Sequence, residues 1–124
     1  MKMVHLTIHT KKLKESVAFY QDILGFFVEE RFYGLGGKSI VFLGSKDNQV
    51  RIELIENKEP PCLGAAFSVG FHVDDIALAY KRMEALGLNP SHISSPNPST
   101  QFFFLSDPNG LRIQLISQDK NDYK

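Results

Sequence analysis

The sequence predicts an α+β fold built from two βαβββ modules, and three matched blocks lead there. Arg51-Ile52-Glu53-Leu54-Ile55-Glu56 returns as Arg112-Ile113-Gln114-Leu115-Ile116-Ser117, shifted by 61 residues (51 to 112). Leu24-Gly25-Phe26 returns as Leu86-Gly87-Leu88, shifted by 62 (24 to 86). Val4-His5-Leu6-Thr7-Ile8-His9 corresponds to Phe67-Ser68-Val69-Gly70-Phe71-His72, shifted by 63 (4 to 67). The blocks keep their order, as expected of two copies of one unit with a functional cleft where the copies meet. The differences between copies are then informative: His5 stands opposite Ser68, and Glu53 opposite Gln114.

Each half of a 124-residue chain is near the size at which one core becomes marginal, so the modules are expected to form one compact domain. Two copies are too few for a solenoid. The first module is assigned to residues 1–58, a linker to 59–65, the second module to 66–117 and a polar, frayed tail to 118–124.

Along the first module, Val4, Leu6 and Ile8 alternate with His5, Thr7 and His9, the pattern of a half-buried strand. Val17, Tyr20 and Leu24 then recur at helical spacing, with Lys14-Glu15-Ser16 at the start and Gly25 suited to the C-terminal cap. Three strands follow, at Phe27–Phe32, Ser39–Leu43 and Val50–Ile55, separated by the turn signals of residues 34–37 and 45–48.

The second module repeats the scheme. Phe67, Val69, Phe71 and Val73 alternate with Ser68, Gly70 and His72. Ile76, Tyr80, Met83 and Leu86 form a helical stripe, capped by Asp74 or Asp75 and ended by Gly87. Strands are expected near Pro90–Ile93, at Gln101–Leu105 and at Leu111–Ile116. Residues 94–100 read as a loop at the cleft rim, and Asp107-Pro108-Asn109-Gly110 as a turn. The helices need an apolar sheet face; the polar sets are left for the other face, around which a curved mixed sheet would wrap a cleft.

Formal net charge is zero and no long basic run occurs, which argues against a nucleic-acid partner. No apolar stretch approaches the ~20 residues needed to span a bilayer, and the N-terminus enters a strand pattern at once. A cytoplasmic location is expected. Cys62 is the only cysteine, so no intrachain disulfide can form, and an idle thiol is the expected reading.

His5-Leu6-Thr7-Ile8, Ser16-Val17-Ala18-Phe19-Tyr20, Leu24-Gly25-Phe26, Val73-Asp74-Asp75-Ile76 and the run from Phe104 to Ile113 carry a resemblance. The chain resembles the vicinal oxygen chelate superfamily, which includes glyoxalases, bleomycin resistance proteins and extradiol dioxygenases, and its layout is most similar to that of glyoxalase I (lactoylglutathione lyase). The resemblance implies helices on the convex side of a U-shaped sheet, and a homodimer. It also implies a divalent ion (zinc, nickel, manganese or iron) held by residues on the first and last strands of each module. Those ligand positions fall on His5, Glu53, Ser68 and Gln114. Two depart from the expected chemistry: Gln114 is a weak neutral ligand through its amide oxygen, and a serine hydroxyl is poorer still. Asn57 falls where the thiol cofactor is contacted in glyoxalase I.

Glu53 is the candidate catalytic residue, as ligand or proton acceptor. It shares a strand face with Arg51, and the competing reading is a surface Arg51–Glu53 pair worth little. His9 and His72 match between modules as cleft lining, and His5 and His9, ~13 Å apart along one strand, cannot share an ion. Phe102 and Phe104 alternate with Phe103 and so face the other way. Counting leaves open which of these two faces lines the cleft; the expected substrate-binding set is His9, Arg51, Asn57, Ser68, His72, Phe102 and Phe104. Two functions remain open. One is a metal-assisted lyase or isomerase acting on a small α-oxo or vicinal-oxygen compound. The other is a metal-free protein of bleomycin-resistance type that sequesters a small molecule. An iron dioxygenase ranks last, because Ser68 and Gln114 remove two of its expected ligands.

Overall fold

The computed structural model describes residues 2–61 and 67–118. The chain divides into two compact units, Met1–Cys62 and Leu63–Lys124, and each carries one four-stranded mixed sheet. The fold is α+β, as the repeat predicted. Cys62, much of the 59–65 linker and residues 119–124 of the tail lie outside the described residues.

The first unit runs β1 (His5–Thr10), α1 (Leu13–Ala18), one π-helical turn (Phe19–Ile23), β2 (Phe27–Tyr33), a 3-10 turn (Leu35–Gly37), β3 (Ser39–Gly44) and β4 (Arg51–Glu56). Its sheet order is β1-β4-β3-β2, with β1 parallel to β4 and the other neighbours antiparallel. The second unit runs β5 (Ser68–His72), α2 (Ile76–Ala85), β6 (Ser94–Asn97), β7 (Thr100–Ser106) and β8 (Arg112–Gln118). Its order, β5-β8-β7-β6, repeats the first with the same single parallel pair.

Alternation decides which face of each sheet is apolar. In the first unit Ile8, Leu54 and Val41 are neighbours across three strands and all are buried. Val17 and Tyr20 complete that core from the helix. Phe19 and Tyr20 are consecutive and both buried, which a 3.6-residue stripe would not achieve; the wider π turn starts at these two residues. In the second unit Phe71, Leu115 and Phe103 form the matching row, and Phe103 is fully buried with Tyr80 edge-on at 5.3 Å. Fully burying side chains of this size stabilises each core by about 1.5–3 kcal/mol apiece.

The punctuation behaves as the residues dictate. Asp75 caps α2 by accepting the Leu78 N–H at 3.1 Å. Gly25 and Gly87 end the two helical segments at φ +78° and +74°, a conformation that favours glycine. Asp107 Oδ1 accepts the N–H groups of Asn109 and Leu111, each at 2.8 Å, and closes the β7–β8 hairpin.

Three expectations need correction. The first strand after α2 is Ser94–Asn97 rather than Pro90–Ile93, so the segment read as a loop contains β6. Ser91 still meets the sheet: its N–H donates to the Phe104 carbonyl and its Oγ accepts the Phe104 N–H, both at 2.8 Å. Leu86 lies at the helix end and is exposed, as is Phe67, which precedes β5; neither belongs to the described core. No helix among the described residues is long and apolar enough to cross a membrane.

Candidate functional site

The polar face of the first sheet gathers four of the predicted residues, His5, His9, Arg51 and Glu53, with Asn57 just beyond the end of β4. Register places His5, Thr7 and His9 of β1 beside Arg51, Glu53 and Ile55 of β4, and Glu53 beside Phe42 of β3. Glu53 Oε1 lies 3.6 Å from His5 Nε2 and accepts the Thr7 hydroxyl at 2.6 Å. The Glu53 side chain is 14% exposed and that of His5 39%, so the carboxylate is the more enclosed member of the pair. His5 also packs edge-on against the buried Phe42, ring centroids 5.7 Å apart. An imidazole and a carboxylate are thus held side by side on two parallel, hydrogen-bonded strands.

Arg51 does not pair with Glu53, which corrects the surface-pair reading. Its NH1 lies 2.7 Å from Glu30 Oε2 and 3.6 Å from Glu29 Oε1, and its guanidinium carbon sits 4.2 Å above the Phe42 ring. A bulge in β2 between Val28 and Glu30 brings both acids to this face. The Glu30 hydrogen bond, opposed by desolvation and reinforced by the charges of Glu30 and Glu29, raises the Arg51 pKa above its ordinary value. Arg51 therefore stays cationic at any working pH. With Arg51 engaged by Glu29 and Glu30, the contacts of the Glu53 carboxylate are those to His5 and Thr7.

His9 lies at the far end of β1, where its Nδ1 faces Asn57 Nδ2 at 3.5 Å. Asn57 is anchored by its own N–H to the Thr10 carbonyl and through its Oδ1 to the Glu59 N–H.

In the second unit the polar face carries Ser68, Gly70 and His72 of β5, Arg112 and Gln114 of β8, and Phe102 and Phe104 of β7. Phe102 and Phe104 meet edge-on with centroids 5.6 Å apart. Gly70 stands where Thr7 stands in the first unit: a Cβ there would lie 3.1 Å from Gln114 Oε1. His72 Nδ1 is 3.8 Å from Asp74 Oδ1.

The donor set can be tested against a divalent ion. Bonds of about 2.1 Å to nitrogen and oxygen can bridge an N···O gap of up to roughly 4.2 Å, so His5 and Glu53 fit two positions of one coordination sphere. Among the described residues no three His, Cys, Asp or Glu side chains cluster as a complete ligand set. The first unit offers half a site.

Sequence reasoning missed Thr7, Phe42, Glu29, Glu30 and Arg112. Thr7 was legible in principle, because it shares the face of His5 and His9; the others depend on pairing between distant strands.

Comparison with known proteins follows the same lines. Residues 2–115 match the family model described as Glyoxalase/Bleomycin resistance protein/Dioxygenase superfamily. A lactoylglutathione lyase of Neisseria meningitidis is 28% identical over 98% of this chain and 94% of its own length. TnmS3, an antibiotic binding protein from Streptomyces sp. CB03234, superposes with TM-score 0.78 at 18% identity, covering 96% of this chain and 97% of that one. Glyoxalase I of Leishmania major gives TM-score 0.77 at 22% identity, covering 94% and 86%. The two structural likenesses show a shared fold.

Proposed function

Because this chain belongs to the Glyoxalase/Bleomycin resistance protein/Dioxygenase superfamily, we propose that it is a glyoxalase-like lyase or isomerase acting on a small α-oxo or vicinal-oxygen compound. The observation that carries this reading is the Glu53 carboxylate 3.6 Å from the His5 imidazole, with the Thr7 hydroxyl bonded to one of its oxygens. Glu53 is the proton acceptor: it takes a proton from the carbon next to a carbonyl and returns it to the neighbouring carbon. Thr7 fixes Oε1, so the carboxylate presents a defined orientation to that carbon. His5 and Glu53 would hold a divalent ion, whose chemistry would be Lewis-acid stabilisation of negative charge on the carbonyl oxygen. The family relatives named lactoylglutathione lyase support this reaction class.

The test is metal uptake followed by turnover. Protein dialysed against zinc, nickel, manganese or iron is analysed for metal, then assayed for isomerisation of methylglyoxal–thiol adducts with several thiols. Near-stoichiometric metal, lost in Glu53→Gln together with turnover, supports the proposal. No metal uptake, and unchanged stability in chelator, would overturn it.

A second reading is favoured by the other unit. Ser68 and Gln114 occupy the positions of His5 and Glu53, and Gln114 neighbours the Phe102–Phe104 pair. A protein that sequesters a small aromatic compound, without metal, would use such stacking and amide contacts. The likeness to an antibiotic binding protein agrees with it.

A further inference from the structure

The last strands of the two units open with the same residue and treat it differently. Arg51 and Arg112 occupy equivalent positions, and each guanidinium lies over a phenylalanine: Arg51 4.2 Å above Phe42, Arg112 4.1 Å above Phe104. The two rings are also equivalent, since Phe42 stands across from Glu53 and Phe104 across from Gln114. The difference is the counter-ion. Arg51 is neutralised by Glu30 and Glu29. Among the described residues no carboxylate lies within 4.0 Å of Arg112.

The cause lies in the neighbouring elements. The two acids of Arg51 come from the edge strand β2, whereas the equivalent edge strand β6 reads Ser94-Ser95-Pro96-Asn97 and carries no acid. Asp107, an acid at the mouth of the hairpin, is buried and turned to the hairpin: it accepts the N–H groups of Asn109 and Leu111 through Oδ1 and faces Asn109 Nδ2 at 3.3 Å. On either side of Arg112 the cross-strand neighbours are Ser68 and Ser106, and Gln114 follows on the same strand face. Arg112 itself is exposed.

We propose that Arg112, seated on Phe104 between Ser68 and Ser106, is a binding site for the carboxylate group of a small organic acid. A planar guanidinium makes two parallel hydrogen bonds to a carboxylate, a geometry that a lysine ammonium cannot reproduce. The Phe104 face holds the fork in a defined plane and keeps one side of it from water. The two serine hydroxyls can donate to the remaining oxygen lone pairs. This site lies wholly within the second unit and does not depend on what Glu53 does.

The experiment uses the intact protein labelled for observation of arginine Nε–Hε resonances. Pyruvate is the probe, its neutral amide the control for shape, and chloride and inorganic phosphate the controls for charge. The Arg112 resonance is expected to move saturably with pyruvate at millimolar concentration, while that of Arg51 stays in place. Arg112→Gln and Arg112→Lys should each weaken binding by about tenfold, and Phe104→Leu severalfold. Backbone spectra identify variants that keep the native fold, which is expected for a change at an exposed side chain. Equal movement with pyruvate amide, chloride or phosphate, or an unchanged pyruvate affinity in folded Arg112→Gln, would overturn the proposal.

Discussion

The Thr7 hydroxyl donates to Oε1 of Glu53 across two parallel strands at 2.6 Å. The two residues are direct register partners, so the bond is set by strand pairing and needs no loop to hold it. The second unit places Gly70 beside Gln114 at the same point and therefore has no equivalent donor.

Thr7→Val keeps the shape and removes the donor. Loss of the bond should cost about 1 kcal/mol of stability, and Thr7→Ser should restore most of it. Urea denaturation of the three proteins checks this. In the proposed reaction, kcat should fall more than KM rises, because Glu53 would lose orientation rather than substrate contact.

Glu53→Gln should leave the fold intact, because an amide occupies the same volume and can still accept from Thr7. It cannot accept a proton at working pH, so turnover should fall by about 10²-fold to 10⁴-fold. Steady-state kinetics on the methylglyoxal–thiol adduct measures it.

Arg51→Met should lower the urea midpoint by leaving Glu29 and Glu30 side by side without their cation. The loss should be larger at low salt than at high salt, because repulsion between exposed like charges is screened. Adding Glu29→Gln should recover part of it. Denaturation at two sodium chloride concentrations is the measurement.

Phe103→Ala should destabilise the second unit by about 3–5 kcal/mol, since the ring is fully buried and packs against Tyr80. Phe102→Ala, on the other face and half-buried, should cost much less. Thermal melts of the two variants should separate clearly.

Most of the fold was legible because it is written twice. Alternation in β1 and β5, the helix stops at Gly25 and Gly87 and the Asp107 turn are local signals, and each landed within a residue or two. What failed has a local cause as well. β6 is a short edge strand containing a proline, so it shows no period-two pattern and is defined by pairing with β7. The π turn was hidden because burial of the consecutive Phe19 and Tyr20 fits no helical stripe. His5 and Glu53 lie on different strands, β1 and β4, so strand alternation could not pair them, and in the sequence only the family resemblance set them side by side. The partner of Arg51 was not legible, because it lies 21 residues away on a strand whose bulge cannot be counted from sequence.

The bulge in β2 has a wider consequence. An outermost strand is bonded along one side only, so one inserted residue there leaves β3 and β4 in step and the rows beneath α1 untouched. A duplicated unit can thus revise its electrostatics at the margin while its interior stays fixed. The two units seat the same arginine over the same ring in two electrical settings, one matched by acids and one without a carboxylate within 4.0 Å among the described residues, above cores built alike.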